Sequence, residues 1–135
     1  MKKPSPNLPC PCGSGQKYKK CCQKYHKGAR PANAELLMRS RYSAFAYGLA
    51  DYIIKTTHPN NSDHTTDIKR WKDEILSFCK HTSFLGLKVT GFTDGEKEAF
   101  VTFEASLSSG MLQEKSRFLK ENGRWLYVDG TWEQF

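Results

Sequence analysis

Residues 98–107 read EAFVTFEASL, and their spacing decides how the chain is expected to fold. Ala99, Val101, Phe103, Ala105 and Leu107 recur at every second position, with Glu98, Thr102, Glu104 and Ser106 between them and Phe100 as the exception. That alternation belongs to a strand with one face in a core and the other in water. On the N-terminal side, Leu85, Leu87 and Val89 alternate in the same way, and Asp94-Gly95 between the two runs is a hairpin signal. On the C-terminal side, Gly110 marks another turn. The runs MLQEKSRFLKENG (111–123) and RWLYVDGTW (124–132) then meet at Asn122-Gly123, a tight-turn dipeptide. The pattern predicts at least three hairpin-connected strands, and four if both last runs are strands.

Upstream the period changes to that of helices. Asn33 is an N-cap residue with Glu35 in the first turn behind it. Met38, Tyr42, Phe45 and Leu49 fall on one stripe, and Gly48 ends or kinks the helix. A second short helix is expected over Asp51–Thr57, then a loop over His58–Asn61. A third helix is expected from about Thr66 to Lys80, burying Ile68, Trp71, Ile75 and either Phe78 or Cys79. Helices in one run and strands in another give an α+β domain, with helices packed on an antiparallel sheet.

The net charge of +7 is not spread evenly. Lys2, Lys3, Lys17, Lys19, Lys20, Lys24, Lys27 and Arg30 lie in the first 34 residues, where there is no acid, while the remainder is near neutral. A basic module on a neutral body points to an acidic partner. The alternative is that some of these lysines offset an anionic metal site. No apolar run is long enough to span a membrane, and none follows Lys2 and Lys3 to make a secretory signal. A cytoplasmic location is therefore expected.

Four of the five cysteines fall in CPCGSGQKYKKCC, residues 10–22. In a reducing compartment, clustered cysteines read as metal ligands before disulfides. Pro11 stiffens the Cys10/Cys12 pair. Gly13 and Gly15 allow the positive φ that turns backbone N–H groups toward thiolates. A short helix from about Lys17 is expected to carry Cys21 and Cys22 on its last turn. Cys10, Cys12, Cys21 and Cys22 would hold one structural Zn²⁺, since four protein ligands close the site. His26, four residues past Cys22, is the substitute for Cys22. Residues 27–31 read as a linker, dividing a zinc module (1–30) from a body (31–135), so removing the metal should unfold the module alone.

The segment CPCGSGQKYKKCC resembles the SEC-C motif, the zinc-binding tail of the preprotein translocase ATPase SecA, in which the last ligand is often His where this chain has Cys22. That tail docks an export chaperone and the ribosome, so the resemblance implies docking. With LMRSRYSAFAYGLADYIIKTTHP (37–59) and SRFLKENGRWLYVDG (116–130), the chain from about Leu8 to Phe135 is similar to the YchJ family. The resemblance implies a nuclear-transport-factor-2-like (NTF2-like) body, a cone of helices on a curved sheet. Longer family members carry a second SEC-C motif after the body. This sequence stops at Phe135, so a function needing two such modules is not expected of it.

Cones of this kind often hold a pocket. Arg41, Tyr42, Asp51, Tyr52, His58, Arg117, Tyr127 and Asp129 are the polar residues that could line one. Asp51 and His58 could serve as general base and orienter if the fold unites them. Against this, Tyr42 and Tyr52 suit a core, His58 before Pro59 suits a turn, and Arg117 and Asp129 suit a cross-strand ion pair. Cys79 reads as a buried, inert thiol. Trp125, Tyr127 and Trp132 read as core or rim residues rather than base-stacking ones. No nucleophile motif, phosphate loop or catalytic metal motif is evident. The expectation is a non-catalytic zinc adaptor whose basic module binds an acidic protein or ribosomal RNA, such as an export, chaperone or ribosomal component. The alternative is a small-molecule-binding or enzymatic cone with the zinc module as accessory.

Overall fold

The computed structural model describes residues 3–134 and, for 132–134, the backbone only. After a 3₁₀ turn (Tyr18–Lys20) come four helices: α1 (Gln23–His26), α2 (Ala34–Tyr47), α3 (Ala50–Lys55) and α4 (Ile68–His81). Four strands follow, β1 (Phe84–Thr93), β2 (Glu98–Leu107), β3 (Gly110–Glu121) and β4 (Arg124–Gln134), paired in sequence order as an antiparallel meander. Among the described residues, no helix is long and apolar enough to cross a membrane.

Local chemistry sets the ends of the elements. The Asn33 side chain accepts from the Leu36 N–H, and Gly48 closes α2 in the left-handed conformation at φ 68°. The Asp67 side chain accepts from the Arg70 N–H at the start of α4. Asn122 and Gly123 both take positive φ, as the two-residue turn between β3 and β4 demands. Helix α3 spans Ala50–Lys55, close to its expected place.

Helix α2 lies against the inner face of the sheet. Leu37, Met38 and Tyr42 pack with Ala99, Val101, Phe103, Ala105 and Phe118. A second cluster joins Ala44 of α2 with Ile53 of α3 and with Trp71, Ile75 and Cys79 of α4. The α4 stripe therefore runs Trp71, Ile75, Cys79. Ile68, at the open first turn, is 48% exposed, and of the two residues offered for the last position, Phe78 is 47% exposed while Cys79 is buried. Phe78 instead meets Phe45 and Phe84 edge-on, with centroids 5.8 and 5.9 Å away.

Two of the three irregularities in the sheet decide how residues singled out in the sequence face. A bulge between Phe84 and Gly86 turns Phe84 to the core and leaves Leu85, expected on the same face as Leu87 and Val89, 67% exposed. A second, where Arg117 pairs with Asp129 but Phe118 pairs with Tyr127, inserts Val128. Without it, Tyr127 and Asp129 would share a face. With it, Tyr127 turns in against Phe118, and Asp129 stays outside with Arg117. Phe100, the exception in the alternation of β2, lies on the outer face with Lys115 Nζ 5.0 Å over its ring.

Leu37 is fully buried at the centre of this packing. Leu37→Ala is expected to destabilise the chain by about 2–5 kcal/mol. Urea unfolding should show a lower midpoint with an unchanged slope.

Candidate functional site

The four N-terminal cysteines converge, with their sulfurs within 4.8 Å of one another. Cys12 Sγ lies 3.5 Å from Cys21 Sγ, and Cys21 Sγ lies 3.9 Å from Cys22 Sγ. Tetrahedral metal–thiolate bonds of about 2.3 Å would place neighbouring sulfurs about 3.8 Å apart, so the set suits a four-coordinate ion. No disulfide joins any of the five cysteines. Cys10, Cys12 and Cys22 are buried, and Cys21 closes the site at the surface.

The helix expected to carry Cys21 and Cys22 is divided. A 3₁₀ turn ends at Lys20, and α1 begins at Gln23 with Cys22 as its N-cap. In one continuous helix, neighbouring side chains diverge by about 100°. Breaking the helix between the cysteines lets both sulfurs face one point. Gly13 and Gly15 do adopt positive φ, 78° and 84°. Two hydroxyls that sequence reasoning missed complete the surroundings: Ser14 Oγ is 3.1 Å from Cys21 Sγ, and Ser43 Oγ of α2 is 3.3 Å from Cys10 Sγ.

Hydrogen bonds from Cys10 and then Cys22 draw the Cys12 thiol far below the ordinary thiol range, while the shared hydrogen bonds push Cys22 up. Burial raises Cys21 to about 11. With Cys21 and Cys22 both held up, the cluster cannot carry four negative charges unaided. A divalent cation would supply the countercharge.

His26 lies apart from the sulfur cluster. Its Nε2 is 2.8 Å from the Ser40 carbonyl and its Nδ1 is 2.6 Å from the Tyr18 hydroxyl. A carbonyl only accepts, so Nε2 carries the proton and Nδ1 accepts from Tyr18. Burial lowers the His26 pKa, favouring this neutral form. Both nitrogens are engaged, and His26 serves as a strut between the module and α2.

The module is bound to the body by more than the linker. Arg39 Nη1 donates to the Cys12 carbonyl at 2.8 Å, Tyr18 meets Tyr47 edge-on at 5.0 Å, and Tyr47 shares a buried cluster with Cys10, Cys12 and Cys22. These contacts make the module a wall of the body.

The polar residues proposed for a pocket do not all converge on one. Arg41, Tyr42 and Tyr127 line a cavity of about 430 Å³ between α2, α4 and the sheet. Asp51 and His58 do not meet. The Asp51 side chain is 82% exposed and pairs with Lys72, while His58 Nε2 donates to Glu121 at 2.9 Å and its Nδ1 accepts from the Asn60 N–H. Arg117 is on the outer face, bound through two nitrogens to Asp129 and also to Glu98. Tyr52 is in the core, hydrogen-bonded to Ser40 Oγ at 2.7 Å. Burial raises Cys79 to about 11, as suits an inert thiol. Trp125 is a core residue, and the Trp132 side chain lies outside the described residues. Glu114 and Ser116, which also line the cavity, were missed. Parity with Leu112 and Phe118 on β3 is the signal that would have placed them inside.

Comparison with known proteins agrees with this architecture. A model of the middle NTF2-like domain of YchJ matches residues 33–130, and the SEC-C motif matches residues 7–24. A SEC-C motif containing protein from Rhodopseudomonas palustris is 31% identical, with a TM-score of 0.75 over 92% of this chain and 98% of that one. Another, from Psychrobacter arcticus, is 32% identical, with a TM-score of 0.75 over 96% of this chain and 84% of that one. An NTF-2 like protein of unknown function from Silicibacter pomeroyi, 12% identical, shares the fold at a TM-score of 0.60 over 84% of this chain and 98% of that one. Fold and site together define an NTF2-like domain bearing an N-terminal SEC-C cysteine cluster. The chain belongs to the YchJ family.

At Gly13, φ is positive and an added Cβ would lie 2.7 Å from the Leu87 carbonyl oxygen of β1. Gly13→Ala is expected to cost about 1–3 kcal/mol. It should release the cysteine loop from β1, read as faster amide hydrogen exchange at Cys10 and Tyr18, whose N–H groups are bonded within the module.

Proposed function

We propose that the chain is a zinc-stapled docking protein. In this reading Cys10, Cys12, Cys21 and Cys22 hold one structural Zn²⁺, and the surface of residues 1–30 engages an acidic macromolecule. Ribosomal RNA and an acidic export or chaperone protein both have the required charge. Four thiolates leave a zinc ion no open position for a substrate, so the centre would hold shape rather than perform chemistry.

The observation that carries the reading is the condition of the cations. Lys17, Lys19, Lys20, Lys24, Lys27 and Arg30 are all exposed, and none forms an ion pair among the described residues. The acids nearest in sequence are engaged elsewhere, Glu35 with Arg39 and Asp51 with Lys72. Neutralising a zinc–thiolate centre of charge −2 would use only two of the cations. The rest stay available on a scaffold whose backbone is fixed by the metal.

Elemental analysis of freshly purified, reduced protein should find one zinc per chain, and its absence defeats the zinc assignment. Chelation should lower the main melting transition, because Tyr18, His26 and Arg39 tie the module to α2. Filter binding to ribosomal RNA should weaken linearly in log–log form with rising salt. Replacing Lys17, Lys19 and Lys20 with Gln should flatten the slope by about 1 per lysine while zinc is retained. A steep slope favours RNA, and salt-sensitive capture of an acidic protein without RNA binding favours the other source. Affinity indifferent to both salt and the triple substitution would overturn the docking role.

A further inference from the structure

The alternation of β3 places Glu114 and Ser116 on the inner face between Leu112 and Phe118, and α2 places Arg41 opposite them. Arg41 is only 8% exposed. Its Nη1 donates to the Ile53 carbonyl at 3.1 Å and to the hydroxyls of Thr56 and Thr57 at 2.7 and 3.2 Å. The Tyr127 ring lies 4.7 Å from the guanidinium carbon. Among the described residues nothing accepts from its Nε or Nη2, and no carboxylate is within ion-pair distance. Burial lowers its pKa to about 10, which leaves it charged at neutral pH.

Glu114 has the opposite arrangement. Its Oε2 accepts from Ser116 Oγ and, at 3.4 Å, from the Tyr127 hydroxyl, while nothing described donates to Oε1. Burial raises its pKa, and Ser116 and Arg41 oppose that rise. Both residues border the same cavity of about 430 Å³, whose walls include Phe45, Trp71, Ile75, Phe84, Phe103 and Phe118. Small-molecule sites occupy about 300–1,000 Å³ and combine apolar walls with a few convergent polar groups.

We propose that this cavity binds an uncharged organic molecule with a flat apolar body and a head, such as a carboxamide, that accepts from Arg41 and donates to Glu114. A buried cation and a half-buried carboxylate balance each other across the space. A ligand with net charge would leave one charge uncompensated in a medium of low dielectric, whereas a neutral one leaves none. The open guanidinium donors call for an acceptor, and the open carboxylate oxygen calls for a donor. Asp63 and Glu74 also border the cavity but are exposed, where water screens them.

Three probes with one aromatic body test this on the full metal-loaded chain at neutral pH: naphthamide, naphthoate and naphthylmethylammonium. Calorimetry should rank naphthamide about tenfold or more tighter than either charged analogue. NMR should show its shifts at the amides of Phe103, Ser116 and Phe118. Glu114→Gln should move naphthoate ahead of naphthylmethylammonium by about tenfold, since Arg41 is then unbalanced. Ala105→Trp should fill the cavity and abolish all binding while metal content and cooperative melting persist. Equal affinities, no saturable binding, an unchanged order in Glu114→Gln, or binding that survives Ala105→Trp overturns the proposal. If either variant fails to fold, the ranking of the three probes on the natural chain decides it.

Discussion

Helix α2 is closed in on three sides, by the cysteine module, by the sheet, and by α3 with α4. Ten of its fourteen residues are buried, so Ser40, Arg41 and Ser43 have no solvent face to turn to. Each must find a partner inside, or the helix loses more through desolvation than its packing returns. Ser40 donates to the Leu37 carbonyl and meets the Tyr52 hydroxyl, Ser43 meets Cys10 Sγ, and Arg41 donates to the end of α3. Among the described residues no side-chain polar atom cut off from both solvent and the cavity is left without a partner. The three neighbours of α2 are thus located by polar contacts as well as by apolar burial.

The Arg41 contacts extend furthest. They fix Ile53, Thr56 and Thr57, and the chain leaving α3 then runs along β4. Tyr127 N–H donates to the Thr56 carbonyl at 2.9 Å, and His58 N–H donates to the Tyr127 carbonyl at 2.8 Å. Thr57 and Tyr127 form a parallel bridge that covers this stretch of the sheet edge. His58 holds the same segment through Glu121. One buried guanidinium therefore sets both the polar floor of the cavity and the cover of a sheet edge. This also explains why His58 and Asp51, which looked like a catalytic pair, serve separate ends of the loop and of α3.

Most of the architecture was legible because its signals are local. Caps at Asn33 and Gly48, the turn at Asn122-Gly123 and the alternation of β2 depend on neighbours within a few residues. The clustered cysteines belong to the same class. What sequence reading misplaced depends on distant partners. Leu85 keeps perfect alternation with Leu87 and Val89, but an inserted residue in β1 reverses its face. Phe78 has helical spacing and finds its partners on β1 and α2. Glu114 reads as a solvated strand residue, since nothing local indicates that the Ser116 and Tyr127 hydroxyls will receive it. The grouping of Cys21 and Cys22 with Cys10 and Cys12 was readable, but not the break between the two short helical turns, which lets all four sulfurs meet at one point.

The module and the cavity lie on different sides of α2, and that arrangement has a physical logic. A cavity of about 430 Å³ removes contacts from the inner side of the helix in a chain of only 135 residues, where buried area is already modest. Close packing would otherwise draw α2 and α4 inward to fill the void. The aromatic rim resists this, with Phe78 edge-on to Phe45 and Phe84 and those two stacked on each other, but it acts at the mouth alone. On the outer side, Arg39, Ser43, Tyr47 and the Ser40 carbonyl all contact the module, whose loop is short, crossed by hydrogen bonds and gathered around four sulfurs. A helix gripped from outside by so constrained a loop can remain undercut on its inner face without collapsing. In this view the cysteine centre stabilises the shape of a domain whose interior is deliberately incomplete, and its attachment to α2, more than its distance in sequence, links it to the body.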